Sequence, residues 1–92
     1  MTYRIVLTAL AEKHLAEWRK SGQKKTILKI VSLFEELSEH PDSGTGQPER
    51  LKGDLSGYWS RRIDKSNRLI YSIDGQIVTV TIISLLGHYS DK

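Results

Sequence analysis

The nine residues HPDSGTGQP, His40 to Pro48, divide the sequence into two textures, and nothing else in it limits the fold as much. Two prolines and two glycines in so short a run exclude regular structure and require an exposed loop. Upstream the apolar residues recur at helical spacing. Downstream come strand patterns only, β-branched and aromatic. Tyr3, Ile5 and Leu7 alternate with Arg4 and Val6 as a short buried strand, and Thr8 then offers an N-cap. Ala11, Leu15 and Trp18 follow at helical spacing, Glu12 sits in the first turn where the helix dipole favours an anion, and Ser21-Gly22 supplies a stop. A second helix repeats Ile27, Ile30, Val31, Phe34 and Leu37 on its apolar side. Its wet side carries Lys24, Lys25 and Lys29 and then Glu35, Glu36 and Glu39. The two helices read as an αα-hairpin.

The strand block, GYWSRRID, RLIYSI and QIVTVTIIS, has Asp74-Gly75 between its last two members, a signal for a two-residue hairpin turn. Opposed residues of a hairpin face the same way, so Trp59 and Ile63 share the core with Leu69, Tyr71 and Ile73 only if the connection is odd-numbered. Pairing Ile63 with Leu69 and Asp64 with Arg68 leaves Lys65, Ser66 and Asn67 as the loop, with Asn67 in the left-handed region. Tyr58, Ser60, Arg62 and Arg68 then occupy the other face, while Val78, Val80 and Ile82 join the core and Arg61 lays its stem along the core edge. Strict alternation would carry His88 to the core side. The ladder is therefore expected to end or bulge between residues 85 and 87, with Gly87 redirecting the chain outward.

Ninety-two residues make a single domain, 1–92. With no cysteine, no run like a secretion signal and no stretch near the roughly 20 apolar residues of a membrane span, a cytoplasmic protein is expected. Residues 47–72 hold Arg50, Lys52, Arg61, Arg62, Lys65 and Arg68 against Glu49, Asp54 and Asp64, a surplus equal to the +3 of the whole chain. The positive field has this one source by count, and its natural partner is an anion.

Arg62 and Arg68 on adjoining strands repel unless an anion lies between them, and guanidinium forks match phosphate oxygens. The ordinary alternative pairs them with Asp54, Asp64 or Glu49 on a solvated face. His88 lies near the strand block and is able to exchange a proton near neutral pH, as a surface tail histidine also does. His14 and His40 read as incidental. No histidines have ligand spacing, so neither metal nor cofactor is expected. Metal-free RNA cleavage needs a base for the 2′-hydroxyl, cations on the phosphate and an acid for the leaving oxygen, and Glu49, the arginines and His88 supply those types.

The run GTGQPERLKGDLSGYWSRRIDKSNRLIYSI with a terminal His-Tyr resembles the Txe/YoeB family of bacterial toxins, within the RelE-like superfamily. The resemblance implies an α+β fold, RelE-like and akin to microbial ribonucleases. In it, a short first strand and two N-terminal helices pack on a twisted, mainly antiparallel four-stranded sheet. It also implies a ribosome-dependent endoribonuclease that cuts mRNA in the A site, restrained by a YefM/Axe-type antitoxin, with a homodimer left open. Carried onto this sequence, the family pattern makes Glu49 the general base, Arg68 and Arg62 the phosphate and transition-state contacts, and Lys52 an RNA contact. His88 becomes the general acid and Tyr89 an orienting or stacking group. The chain departs from many relatives in carrying Ser90, Asp91 and Lys92 after His-Tyr, and in having Asn67 before Arg68. A non-catalytic RNA- or ribosome-binding relative is the alternative, and retention of both Glu49 and His88 argues for the enzyme.

Overall fold

The computed structural model describes residues 2–87. Strand β1 (Arg4–Leu7) leads into helix α1 (Ala9–Ser21) and helix α2 (Lys24–Glu39), followed by strands β2 (Glu49–Arg50), β3 (Trp59–Arg62), β4 (Arg68–Asp74) and β5 (Thr79–Ser84). The sheet runs β1-β5-β4-β3-β2, with β1 parallel to β5 and the other neighbours antiparallel. It has five strands where four were expected. The addition is β2, two residues long and too short to leave a periodic trace in the sequence.

Both expected stops of α1 are present. Thr8 accepts a hydrogen bond from Ala11 N through its side chain, and Gly22 ends the helix at φ 73°, a conformation that suits a residue without Cβ. Helix α2 buries Ile30, Leu33 and Leu37, with Ile27 and Phe34 beside them. Val31, expected inside, is 46% exposed, since it lies about 100° round the helix from the middle of that stripe. The core lies between the helical pair and one face of the sheet, where Ala11 and Trp18 meet Ile63, Leu69, Tyr71, Val80, Ile82 and Leu85.

Both hairpins keep the expected faces by a different register. Arg62 pairs with Arg68 and Trp59 with Tyr71, so the β3–β4 connection has five residues rather than three. A slip of two preserves parity. The Asp64 carboxylate organises the loop, accepting from Ser66 N and Asn67 N at 2.8 Å each, and Asn67 does not enter the left-handed region. Between β4 and β5, Asp74 pairs with Thr79, and Asp74 Oδ1 accepts from Gln76 N and Ile77 N. The turn is thus an Asx-type loop over residues 75–78 rather than a two-residue turn. Val78, expected in the core, is half-buried in that loop at φ 49°.

The expected change of parity comes early. The β4–β5 register shifts between Ile70 and Tyr71, opposite Ile83, and the strand ends at Ser84. Leu85 thereby reaches the core, and its freed peptide groups are taken by α1: Trp18 Nε1 donates to Leu85 O at 2.9 Å, and Leu85 N donates to His14 Nδ1 at 3.1 Å. His14 is therefore a structural acceptor rather than an incidental residue. Gly87, at φ 72°, donates to Asn67 Oδ1 and accepts from Arg68 N, each at 2.8 Å. His88 and Tyr89 lie outside the described residues.

Candidate active site on the open sheet face

Consecutive residues of a strand face opposite ways, so the register of β2, β3 and β4 decides what gathers on the face turned away from the helices. Glu49 is in register with Ser60, Ser60 with Ile70, and Arg62 with Arg68. Glu49, Ser60, Arg62 and Arg68 accordingly share that face. Arg68 Nη1 lies 3.8 Å from Glu49 Oε1 and donates to Ser60 Oγ at 3.3 Å. The Arg68 side chain is 21% exposed and that of Glu49 57%, so the guanidinium is partly sheltered and the carboxylate faces solvent. Arg62 is exposed one strand away and enters none of the ion pairs found among the described residues. Lys52 is exposed just before the 3₁₀ turn Gly53–Leu55.

The structure thus brings together Glu49, Arg62 and Arg68. Of the carboxylates considered as ordinary partners for the arginines, Glu49 is the one at ion-pair distance, and Asp64 is occupied with its own loop. Ser60 falls on the face expected of it, but the sequence gives it no role there. Only the register shows it buried between Glu49 and Ile70 with its hydroxyl against Arg68. Tyr58, expected on this face, precedes the first residue of β3 and lines a cleft with Trp59 on the other side of the edge.

What holds the edge in place is Arg61. It is fully buried, not laid along the core edge, and every nitrogen of its guanidinium is engaged. Nη1 donates to Glu36 Oε1 at 3.0 Å and to Thr45 O at 3.2 Å, Nη2 to His40 O and Ser43 O at 2.6 Å each, and Nε to the Tyr71 hydroxyl at 3.3 Å. That hydroxyl donates to Pro41 O at 2.7 Å. Glu36, expected on the wet side of α2, is therefore a structural anion that also accepts from Thr45 N at 2.7 Å. Hydrogen bonding from Thr45, reinforced by the Arg61 charge, holds the Glu36 carboxyl below the usual carboxylate range, while burial pushes the Tyr71 phenol up. The loop so gathered runs on to Gly46, whose carbonyl accepts from Arg62 N at 2.7 Å, and then delivers Glu49 to the sheet.

Charge is spread differently from the count along the chain. Arg61 is withdrawn and paired, whereas Arg19, Lys20, Lys24, Lys25 and Lys29 crowd the α1–α2 turn within residues 18–34, a stretch that contains no carboxylate. The positive field therefore has two sources rather than one. Among the described residues there is no cluster of three or more potential metal ligands, and no helix is long and apolar enough to cross a membrane.

The sequence model of the family described as YoeB-like toxin of bacterial type II toxin-antitoxin system matches residues 9–89. The chain is 45% identical over 78 residues to Toxin YoeB of Streptomyces coelicolor, covering 84% of this chain and 92% of that protein. Its fold is similar to the YoeB/ParE toxin from Agrobacterium tumefaciens, with TM-score 0.87 and 32% identity over 94% of this chain and 99% of the other. Staphylococcus aureus YoeB is similar as well, in the YoeB-YefM complex (TM-score 0.79) and as the YoeB dimer (TM-score 0.81). Both are 31% identical over 97% of this chain and 100% of theirs.

Proposed function

The chain belongs to the YoeB-like toxins of bacterial type II toxin-antitoxin systems, and from that premise we propose that it is a metal-independent endoribonuclease that cuts mRNA in the ribosomal A site. The observation that carries this reading is the Glu49–Arg68 pair on the open face, with Arg62 in register on the next strand. A carboxylate beside a sheltered guanidinium supplies a base for the 2′-hydroxyl and a cation for the phosphate. A substrate phosphate takes over Arg68, which frees Glu49 to remove the 2′-hydroxyl proton. The 2′-oxygen then attacks the adjacent phosphorus and the bond to the 5′-oxygen breaks. Arg68 and Arg62 offset the charge that builds on the phosphoryl oxygens, and His88 gives its proton to the departing 5′-oxygen. The ends are a 2′,3′-cyclic phosphate and a 5′-hydroxyl. Supporting the role of His88, the residue before it, Gly87, accepts from the backbone of Arg68. Lys52 and Tyr89 contact the RNA.

Inhibition by a YefM/Axe-type antitoxin fits the same face. An acidic segment that folds over Arg62 and Arg68 excludes RNA, and its affinity falls with added salt. The protein acts in the cytoplasm and self-associates as the Staphylococcus aureus toxin does. A ribosome-programmed cleavage assay with mapped ends tests the reading: the wild type yields cuts in the A-site codon bearing cyclic phosphate ends, and Glu49→Gln yields none. Binding of programmed ribosomes without cleavage would instead establish a non-catalytic relative.

A further inference from the structure

The other side of the edge strand carries a second feature. There the surface closes into a cleft of about 530 Å³ whose lining includes Asp42, Arg50, Leu51, Tyr58, Trp59 and Ile73. Strand β2 forms that edge of the sheet and is two residues long, with Glu49 in register with Ser60 and Arg50 with Trp59. Alternation therefore sends Glu49 to the open face and Arg50 to the cleft. An RNA strand that crosses this short edge meets the catalytic carboxylate on one side and the cleft on the other.

The cleft wall is a fixed stack. The Arg50 guanidinium lies over the Trp59 ring at 5.3 Å from its centroid, and Trp59 stacks on Tyr71 at 6.4 Å with 23° between the planes. Tyr71 is itself immobilised, its hydroxyl held between Arg61 and Pro41. We propose that this cleft is a nucleobase subsite, taking the base of a nucleotide next to the one whose 2′-hydroxyl meets Glu49. Aromatic faces and arginine planes are the platforms on which single-stranded RNA stacks. The volume lies within the range of small-ligand sites. Asp42 is an acceptor for an exocyclic amino group, so adenine, cytosine or guanine is favoured over uracil. The same carboxylate, opposite in sign to Arg50 in one small cleft, suits a neutral ring with donors on its edge and repels an acidic peptide.

The proposal rests on the reading of the chain as an RNA-cleaving enzyme, and its test is separate from cleavage. Trp18 and Trp59 are the two tryptophans of the chain. The Trp18 indole N–H is buried against Leu85 O and serves as an internal reference, while that of Trp59 reports on the cleft. The four nucleoside 5′-monophosphates are titrated into the protein and both indole resonances followed by NMR. The expected result is a saturable shift of Trp59 alone, tightest for an amino-bearing base and weakened about tenfold or more by Asp42→Ala or Arg50→Ala. Glu49→Gln keeps the response although it abolishes cleavage. No Trp59 response to any nucleotide, or a response only to an antitoxin peptide, overturns the subsite and leaves the cleavage reading standing. Cleavage by Glu49→Gln with the Trp59 response intact overturns the catalytic assignment instead.

Discussion

Arg61 and Arg62 are adjacent residues of one strand with the same side chain, and they have opposite fates. The first is fully buried and bonded to Glu36, Tyr71 and three loop carbonyls. The second is exposed, in register with Arg68, on the face where Glu49 sits. The pleat alone separates them. A guanidinium is useful to folding where its donors are all matched and useful to chemistry where its donors await an anion. Stability and cleavage are accordingly expected to divide cleanly between the two.

The largest effect should come from Arg61→Ala. It strands the loop carbonyls and leaves Glu36 without its cation, a loss of about 3–5 kcal/mol. For a domain of this size that lowers the thermal midpoint by more than about 12 °C, to be read by thermal unfolding. Gly44→Ala attacks the same clamp from the loop. At φ 115° its new Cβ would strike Glu36 Oε1 and approach Arg61 Nη1 to 3.2 Å, and about 1–3 kcal/mol of stability should be lost. On the other arginine the division reverses. Arg62→Ala should leave the midpoint within the range of ordinary surface changes, about 0.5 kcal/mol. It should nonetheless cut cleavage at least about tenfold, or 1.4 kcal/mol of transition-state stabilisation, and Arg68→Ala should match or exceed that loss. Equal loss of fold by both neighbours would erase the distinction.

Two smaller effects sharpen it. The depressed Glu36 carboxyl contributes stability that is fully present above its unfolded value and lost as pH falls through the lower folded one. Below about pH 4.3, the thermal midpoint of the wild type should therefore fall more steeply than that of Glu36→Gln. Ser60→Ala removes an acceptor from Arg68 and should cost about 1 kcal/mol in cleavage, roughly fivefold, with the fold retained.

Much of this was legible in the sequence because it rests on period. The helical stripes, Thr8 as cap, Gly22 as stop and the two-faced strands all follow from local spacing. So does the shared face of Arg62 and Arg68, since a register slip of two leaves parity untouched. What escaped depends on contacts between distant segments. Glu36 looks like a solvated helix residue until the loop that follows α2 folds back to bring Thr45 and Arg61 to it. His14 looks incidental until the bulge at Ile83 leaves Leu85 N in need of an acceptor. Asp74-Gly75 signalled a tight turn, yet the Asp74 carboxylate stabilises a longer one that ends at Val78 with positive φ. The basic α1–α2 turn was hidden because, outside residues 47–72, basic and acidic residues are equal in number, although none of the acidic ones lies within residues 18–34.

The central claim is that the open face of Glu49, Arg62 and Arg68 cleaves RNA through the 2′-hydroxyl. The most direct measurement programs ribosomes with an mRNA whose A-site codon carries 2′-deoxynucleotides and compares cleavage with that of the all-ribose message. The account predicts cleavage of the ribose message, ending in a 2′,3′-cyclic phosphate, and none at the deoxy codon. Cutting of the deoxy codon at an undiminished rate would contradict it, since no base acting on a 2′-hydroxyl would then be involved.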